Sequence, residues 1–129
     1  MEELAAVKLV VQRSRFFAHL YLLEGRQELD SILKQHRRSY RKANHHCFAL
    51  RLGEESPVEL AKDDGEVGHP GKVLLEILKK HNLSSHLLVV SRVFGGVKLG
   101  VGGVSRAFRE AGEAVVEHQL LGQTISNNI

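Results

Sequence analysis

The chain has 129 residues, 43% of them hydrophobic and 26% charged, with a net charge of +3 and a pI near 9.2. That is the size and composition of one domain able to bury a core, expected to span residues 1–129; the single cysteine, Cys47, excludes an internal disulfide and suits a reducing cytoplasm. No apolar run approaches the roughly 18 residues of a membrane span and no basic-then-apolar leader opens the chain, so the reading is a soluble cytoplasmic protein without a membrane partner.

In chain order, residues 7–23 are rich in β-branched and aromatic side chains and are broken by the polar "QRSR". They predict two short strands or one long bent strand. After Gly25 a helical period begins, with Leu29, Ile32, Leu33 and His36 on one face. The helix ends in "KQHRRSYRK", residues 34–42, five Lys/Arg and a His without an acid. Two readings stay open for that run. One is a solvated helix end whose cations complement the dipole; the other is a contact with nucleic acid or an acidic protein, with Tyr40 able to stack on a base.

A strand follows at residues 45–52 and a weaker one at 57–61. After the "DDGEVGHPG" turn, Val73, Leu74, Ile77, Leu78 and His81 mark a second amphipathic helix that stops at Asn82. Residues 86–94 form a nearly continuous apolar run, the pattern of a strand covered on both faces. The last helix is expected over residues 104–119, with Val104, Ala107, Phe108, Ala111 and Val115 as its apolar stripe and Arg106–Glu110 and Arg109–Glu113 as i,i+4 pairs. Residues 120–129 read as a frayed polar tail. The order ββαββαβα predicts an α/β (α+β) fold, a two-layer sandwich of a mixed sheet with the helices on one face.

Glycines concentrate at positions 95, 96, 100, 102 and 103, between the buried strand and the last helix. Unpaired amides and the positive end of the helix dipole meet at such a junction. The amides of Gly95, Gly96, Gly100, Gly102 and Gly103, with Lys98, Arg106 and Arg92, are therefore candidate contacts to an anion or a nucleic-acid backbone. The competing account is that the glycines let the strand turn and the helix pack closely; a catalytic phosphate loop is the third. Neither common phosphate motif is present: Gly100 is followed by Val101 rather than Lys-Ser/Thr, and Ser105 stands where a dinucleotide fingerprint has its third glycine.

Asp63, Asp64, Gly65 and Glu66 form a second candidate loop, either holding Mg²⁺ against a phosphate, supplying a general base, or making an Asp-Gly turn with a capping acid. On the strand before it, His45 and Cys47 share one face and His46 takes the other. Two ligands do not make a zinc site, so no metal is assigned. Cys47 is expected to be a buried apolar residue, with His46 on an exposed or functional face.

"SRVFGGVKLGVGGVSRAF" resembles the signature of the YigZ/IMPACT family, matching it at Arg92, Phe94, Gly95, Gly96, Leu99, Gly100, Gly102, Gly103, Arg106, Ala107 and Phe108. Ser14-Arg15-Phe16, "NHHCFA" at 44–49 and "DDGEVGHPGKV" at 63–73 match further family segments in order. The last stretch departs at Val67, at His69-Pro70 and at Val73, where the pattern has proline, Thr-Ala and proline. The resemblance implies the family's shared N-terminal domain alone, with a fold like domain 2 of the fifth small-subunit ribosomal protein. It implies a non-catalytic module regulating translation, with RNA, the ribosome or a translation-related protein as partner and no cofactor. The alternative is a small Mg²⁺-dependent enzyme binding a phosphorylated metabolite or nucleotide at the glycine loop. Oligomeric state is left open.

Overall fold

The structure, a computed structural model, describes the backbone of residues 1–128 and the side chains through residue 123. Strands β1 (Glu2–Val11) and β2 (Ser14–Leu22) form a hairpin. Gln12 and Arg13 turn it with φ of 44° and 72°, as a two-residue connection matched to strand twist requires. A 3₁₀ turn, Arg26–Glu28, leads into α1 (Leu29–Ser39). Strands β3 (His45–Leu52) and β4 (Val58–Lys62) precede α2 (Pro70–Lys80). Strand β5 (His86–Val93) then leads to α3 (Gly100–Asn128).

The strand order is β1-β2-β5-β3-β4, and every neighbouring pair is antiparallel. The expected mixed sheet is thus corrected to an antiparallel one. Apolar periodicity reports which faces of a strand are covered, and it carries no information on the direction of the neighbours. Strand β5 sits at the centre, with Leu87, Leu88, Val89 and Val90 fully buried.

The placement of the helices is a second correction. Helices α2 and α3 cover one face, over Phe16, Ala18, Leu20, Cys47, Ala49, Leu88 and Val90. Helix α1 covers the opposite face, where Leu29 and Ile32 pack on Tyr21, Phe48, Leu50, Leu87 and Val89. Both parities of β3 and β5 carry apolar side chains, so one layer of helices would leave half of those side chains in water. The α+β sandwich of the sequence reading stands, with α1 as an additional cover.

Local chemistry sets the helix ends. Pro70 occupies the first position of α2, where its missing N–H costs nothing. Asn82 closes α2 with φ of 51°, while the amides of Asn82 and Leu83 donate to the carbonyls of Lys79 and Leu78. Helix α3 starts four residues before its apolar stripe and runs beyond residue 119 to Asn128; Ile129 lies outside the described residues. The i,i+4 pairs expected on α3 give way to contacts between helices. Arg109 reaches Glu76 at 3.4 Å, and Glu113 pairs with Lys80 at 3.0 Å and His81 at 2.8 Å.

Candidate functional site

The 63–66 loop is tied into the fold by each of its acids. Asp64 and Gly65, with φ of 51° and 78°, make the turn. Asp63 accepts the Gly71 amide at 2.9 Å, and Asp64 accepts the His46 amide at 2.7 Å. Glu66 accepts Arg92 Nη1 at 3.1 Å, with both side chains at least nine-tenths buried. Among the described residues, no three His, Cys, Asp or Glu side chains gather as a metal site would need.

Arg92 is the hub. Its Nη2 donates to Ser14 Oγ at 3.3 Å, and the Gly95 amide donates to the same hydroxyl at 3.3 Å. Its guanidinium lies 5.6 Å from the Phe16 ring centre and 5.8 Å from that of Phe94. Its Nε is buried without a hydrogen-bond partner. The segments that carry the family resemblance therefore meet around one side chain: Ser14 and Phe16 from β2, Glu66 from the acidic loop, and Phe94 and Gly95 from the glycine loop. Ser14 and Phe94 enter the sequence reading only as family matches, and His45, whose Nδ1 donates to the Asp64 carbonyl at 2.8 Å, only as a metal ligand set aside. Their positions inside the matched segments were the available signal.

The glycines divide between the two accounts. A Cβ on Gly95 would lie 2.1 Å from the Arg13 carbonyl carbon, so this residue lets the loop pack on the β1–β2 turn. Gly96 and Gly100 have φ of 87° and 73° and face open space. The loop opens onto a cleft of about 360 Å³, lined chiefly by apolar groups including Val67, Phe94, Leu99 and Val101. Lys98 sits on this cleft with Arg92, whereas Arg106, nearly two turns into α3 against Gly102, lines a separate groove that it shares with Glu110. Lys98 and Arg106 are exposed, and among the described residues neither has a carboxylate partner.

Cys47 is buried as expected, but the exposed face expected for His46 is corrected: it is interior, because α1 brings His36 over the same face of the sheet at Ser91. Burial, helped by Glu66, Asp64 and Asp63, pushes the Cys47 thiol up, and Sγ donates to the Asp63 carbonyl at 3.1 Å. His46 Nδ1 lies 2.7 Å from Ser91 Oγ, which also contacts His36 Nδ1 at 3.0 Å; His36 Nε2 meets the Tyr21 hydroxyl at 2.7 Å. One proton ordering satisfies the chain: Tyr21 donates to His36, His36 to Ser91, and Ser91 to His46. Burial, with His19 and His46 adding, holds His36 down at about 3. His46 is lowered as well, by burial first.

The 34–42 run lies at the C-terminal end of α1. Tyr40 stacks on Phe17, and Arg38, Arg41 and Lys42 line a groove with Arg15. No helix among the described residues is long and apolar enough to cross a membrane.

Comparison with known proteins agrees with this convergence of motifs. The chain is 35% identical over 119 residues to the IMPACT family member YvyE of Bacillus subtilis (strain 168), covering 92% of this chain and 55% of that protein. One similar solved structure, a crystal structure of a hypothetical protein, has a TM-score of 0.81 at 27% identity, over 88% of this chain and 56% of the other. Another, the two-domain translational regulator Yih1, has a TM-score of 0.61 at 25% identity, over 89% of this chain and 46% of the other. The chain thus spans about half the length of these relatives. The model of the Impact N-terminal domain matches residues 12–116, which include every segment gathered around Arg92, and the chain belongs to that family.

Proposed function

We propose that this chain is a binding module acting in the regulation of translation, which contacts RNA, the ribosome or a ribosome-associated protein through exposed cations. The observation that carries the reading is the division between charges engaged within the chain and cations left exposed. Each acid of the 63–66 loop is engaged by the chain itself, and Arg92 is engaged with Glu66, while Lys98 and Arg106 stand exposed without carboxylate partners among the described residues. Similarity to a translational regulator points the same way. The enzymatic alternative needs carboxylates free to hold Mg²⁺ beside the glycine loop. Asp63, Asp64 and Glu66 are instead acceptors for Gly71, His46 and Arg92.

The test is pelleting with ribosomes and filter binding to a mixed-sequence RNA, from about 50 to about 200 mM salt. Affinity is expected to fall as salt rises, with log K losing about 0.7–0.9 per neutralised phosphate for each decade of salt. A folded Lys98→Ala/Arg106→Ala variant should bind more weakly and with a shallower slope. Absence of binding to both targets at low salt, or binding indifferent to salt and variant alike, would falsify the reading.

A further inference from the structure

A second cationic surface lies on the α1 face of the sheet, where Val93, the residue before Phe94, also lines it. Arg15 at the start of β2, Arg38 in the last turn of α1, and Arg41 and Lys42 just beyond it line a groove of about 410 Å³. No acidic residue lines this groove, and among the described residues none of the four cations has a carboxylate partner. Two aromatic rings share it. Tyr40 lies on Phe17 with ring centres 4.2 Å apart and 19° between planes, and the Tyr40 hydroxyl is 2.6 Å from His19 Nε2.

We propose that this groove binds a single-stranded stretch of RNA, with a base stacked at Tyr40 and phosphates on Arg15, Arg38 and Arg41. The proposal rests on the polyanion reading above and gives it a ligand class and a location. Four cations without an acid select a polyanion. The rings narrow the choice, because base–aromatic stacking supplies about 1–3 kcal/mol per base and needs a base whose face is free. In a duplex those faces are taken by neighbouring bases, so the platform favours a single strand. Tyr40 is held by Phe17 on one side and His19 at its hydroxyl, so little side-chain freedom remains to be lost on binding. An acidic peptide would satisfy the cations but offer no base to stack on the rings.

The experiment is fluorescence anisotropy with a labelled single-stranded RNA of about six nucleotides, within the site size of one small module. A hairpin RNA and polyglutamate serve as competitors, and ribosome pelleting is run in parallel. The single strand should bind at least about tenfold tighter than the hairpin. Arg38→Ala/Arg41→Ala should lose at least about tenfold and flatten the salt slope by about 1.4, two single-strand phosphates' worth. Tyr40→Phe keeps the ring and should bind within about twofold of the natural chain, while Tyr40→Ala should lose about tenfold. If Tyr40→Ala fails to fold, Arg15→Ala replaces it with the same expected loss. Lys72→Ala/Lys79→Ala, which removes two exposed charges from α2 on the other side of the sheet, should change nothing. Groove variants that bind the short strand normally would overturn the proposal, as would a preference for the hairpin or equal competition by polyglutamate. Ribosome binding without short-strand binding sinks this proposal and leaves the module reading standing; loss of both sinks both.

Discussion

Arg92 bonds to Ser14 and Glu66 and lies against Phe94, and its charge is balanced by a carboxylate equally withdrawn from water. Removing one partner of such a pair strands the other. Glu66→Gln is therefore expected to destabilise the fold by about 3–5 kcal/mol, measured by urea unfolding. Glu66→Gln combined with Arg92→Met should recover part of that loss, since no charge then remains buried. A single variant as stable as the natural chain would mean that water reaches Arg92 after all. The sequence showed Arg92 as a cation at a strand end, but its partner lies 26 residues away. Burial could not be read from local pattern.

His36 gives a pH dependence at the same scale. Its folded pKa, about 3, lies below the ordinary value of 6.5, so the unfolded chain takes up the proton first. The stability linked to neutral His36 is complete above about pH 6.5 and is lost as pH falls toward 3. Near pH 5.5 the loss from this residue should be about 1.4 kcal/mol, and His46 and His86, also lowered by burial, add in the same direction. Urea unfolding near pH 7.5 and pH 5.5 reads the difference; equal midpoints would contradict it. None of this was visible in the spacing of the eight histidines, because Tyr21, His36, Ser91 and His46 come from four different elements.

Among the elements, helices were more legible than strands. The faces Leu29–Ile32–His36 and Val73–Leu74–Ile77–Leu78 are buried as their period requires. Strand β1 begins at Glu2, five residues before the β-rich pattern, because pairing with β2 holds an acidic and alanine-rich stretch that has little strand preference of its own. Its turn at Gln12–Arg13 lacks the Asn-Gly or Asp-Gly that would have announced it. The glycine loop tests how elements meet. Gly95→Ala must push the loop off the hairpin backbone and should cost about 3 kcal/mol, at the upper end of overpacking. Gly96→Ala meets open space and should cost about 1–2 kcal/mol, the penalty of a left-handed φ. Thermal melts of the two variants should rank accordingly, and the opposite ranking would refute the packing role of Gly95.

Over the whole molecule, stability should be graded from the centre outward. Strand β5 is hydrogen-bonded to β2 and β3 and covered on both faces, whereas β4 is an edge strand with Val58 exposed. Hydrogen exchange should show β5 amides opening only with global unfolding and β4 amides opening locally. Protection in β4 equal to that in β5 would contradict this gradient. The fold class was legible because three amphipathic helices and a doubly covered strand leave few ways to bury their apolar faces. The candidate site reads in the sequence as two separate loops, and their meeting around Arg92 required the folded path of β2 and β5.

Cys47 has a practical consequence. It is the chain's only thiol, it is fully buried beneath α2 and α3, and burial pushes its ionisation up. A thiol reagent added to the native protein should therefore react at the pace of the fold's opening rather than of the chemistry. Any occupant that holds the folded form lengthens that half-life by mass action. The chain thus carries its own binding clock, able to report a bound ligand without a label or an introduced residue.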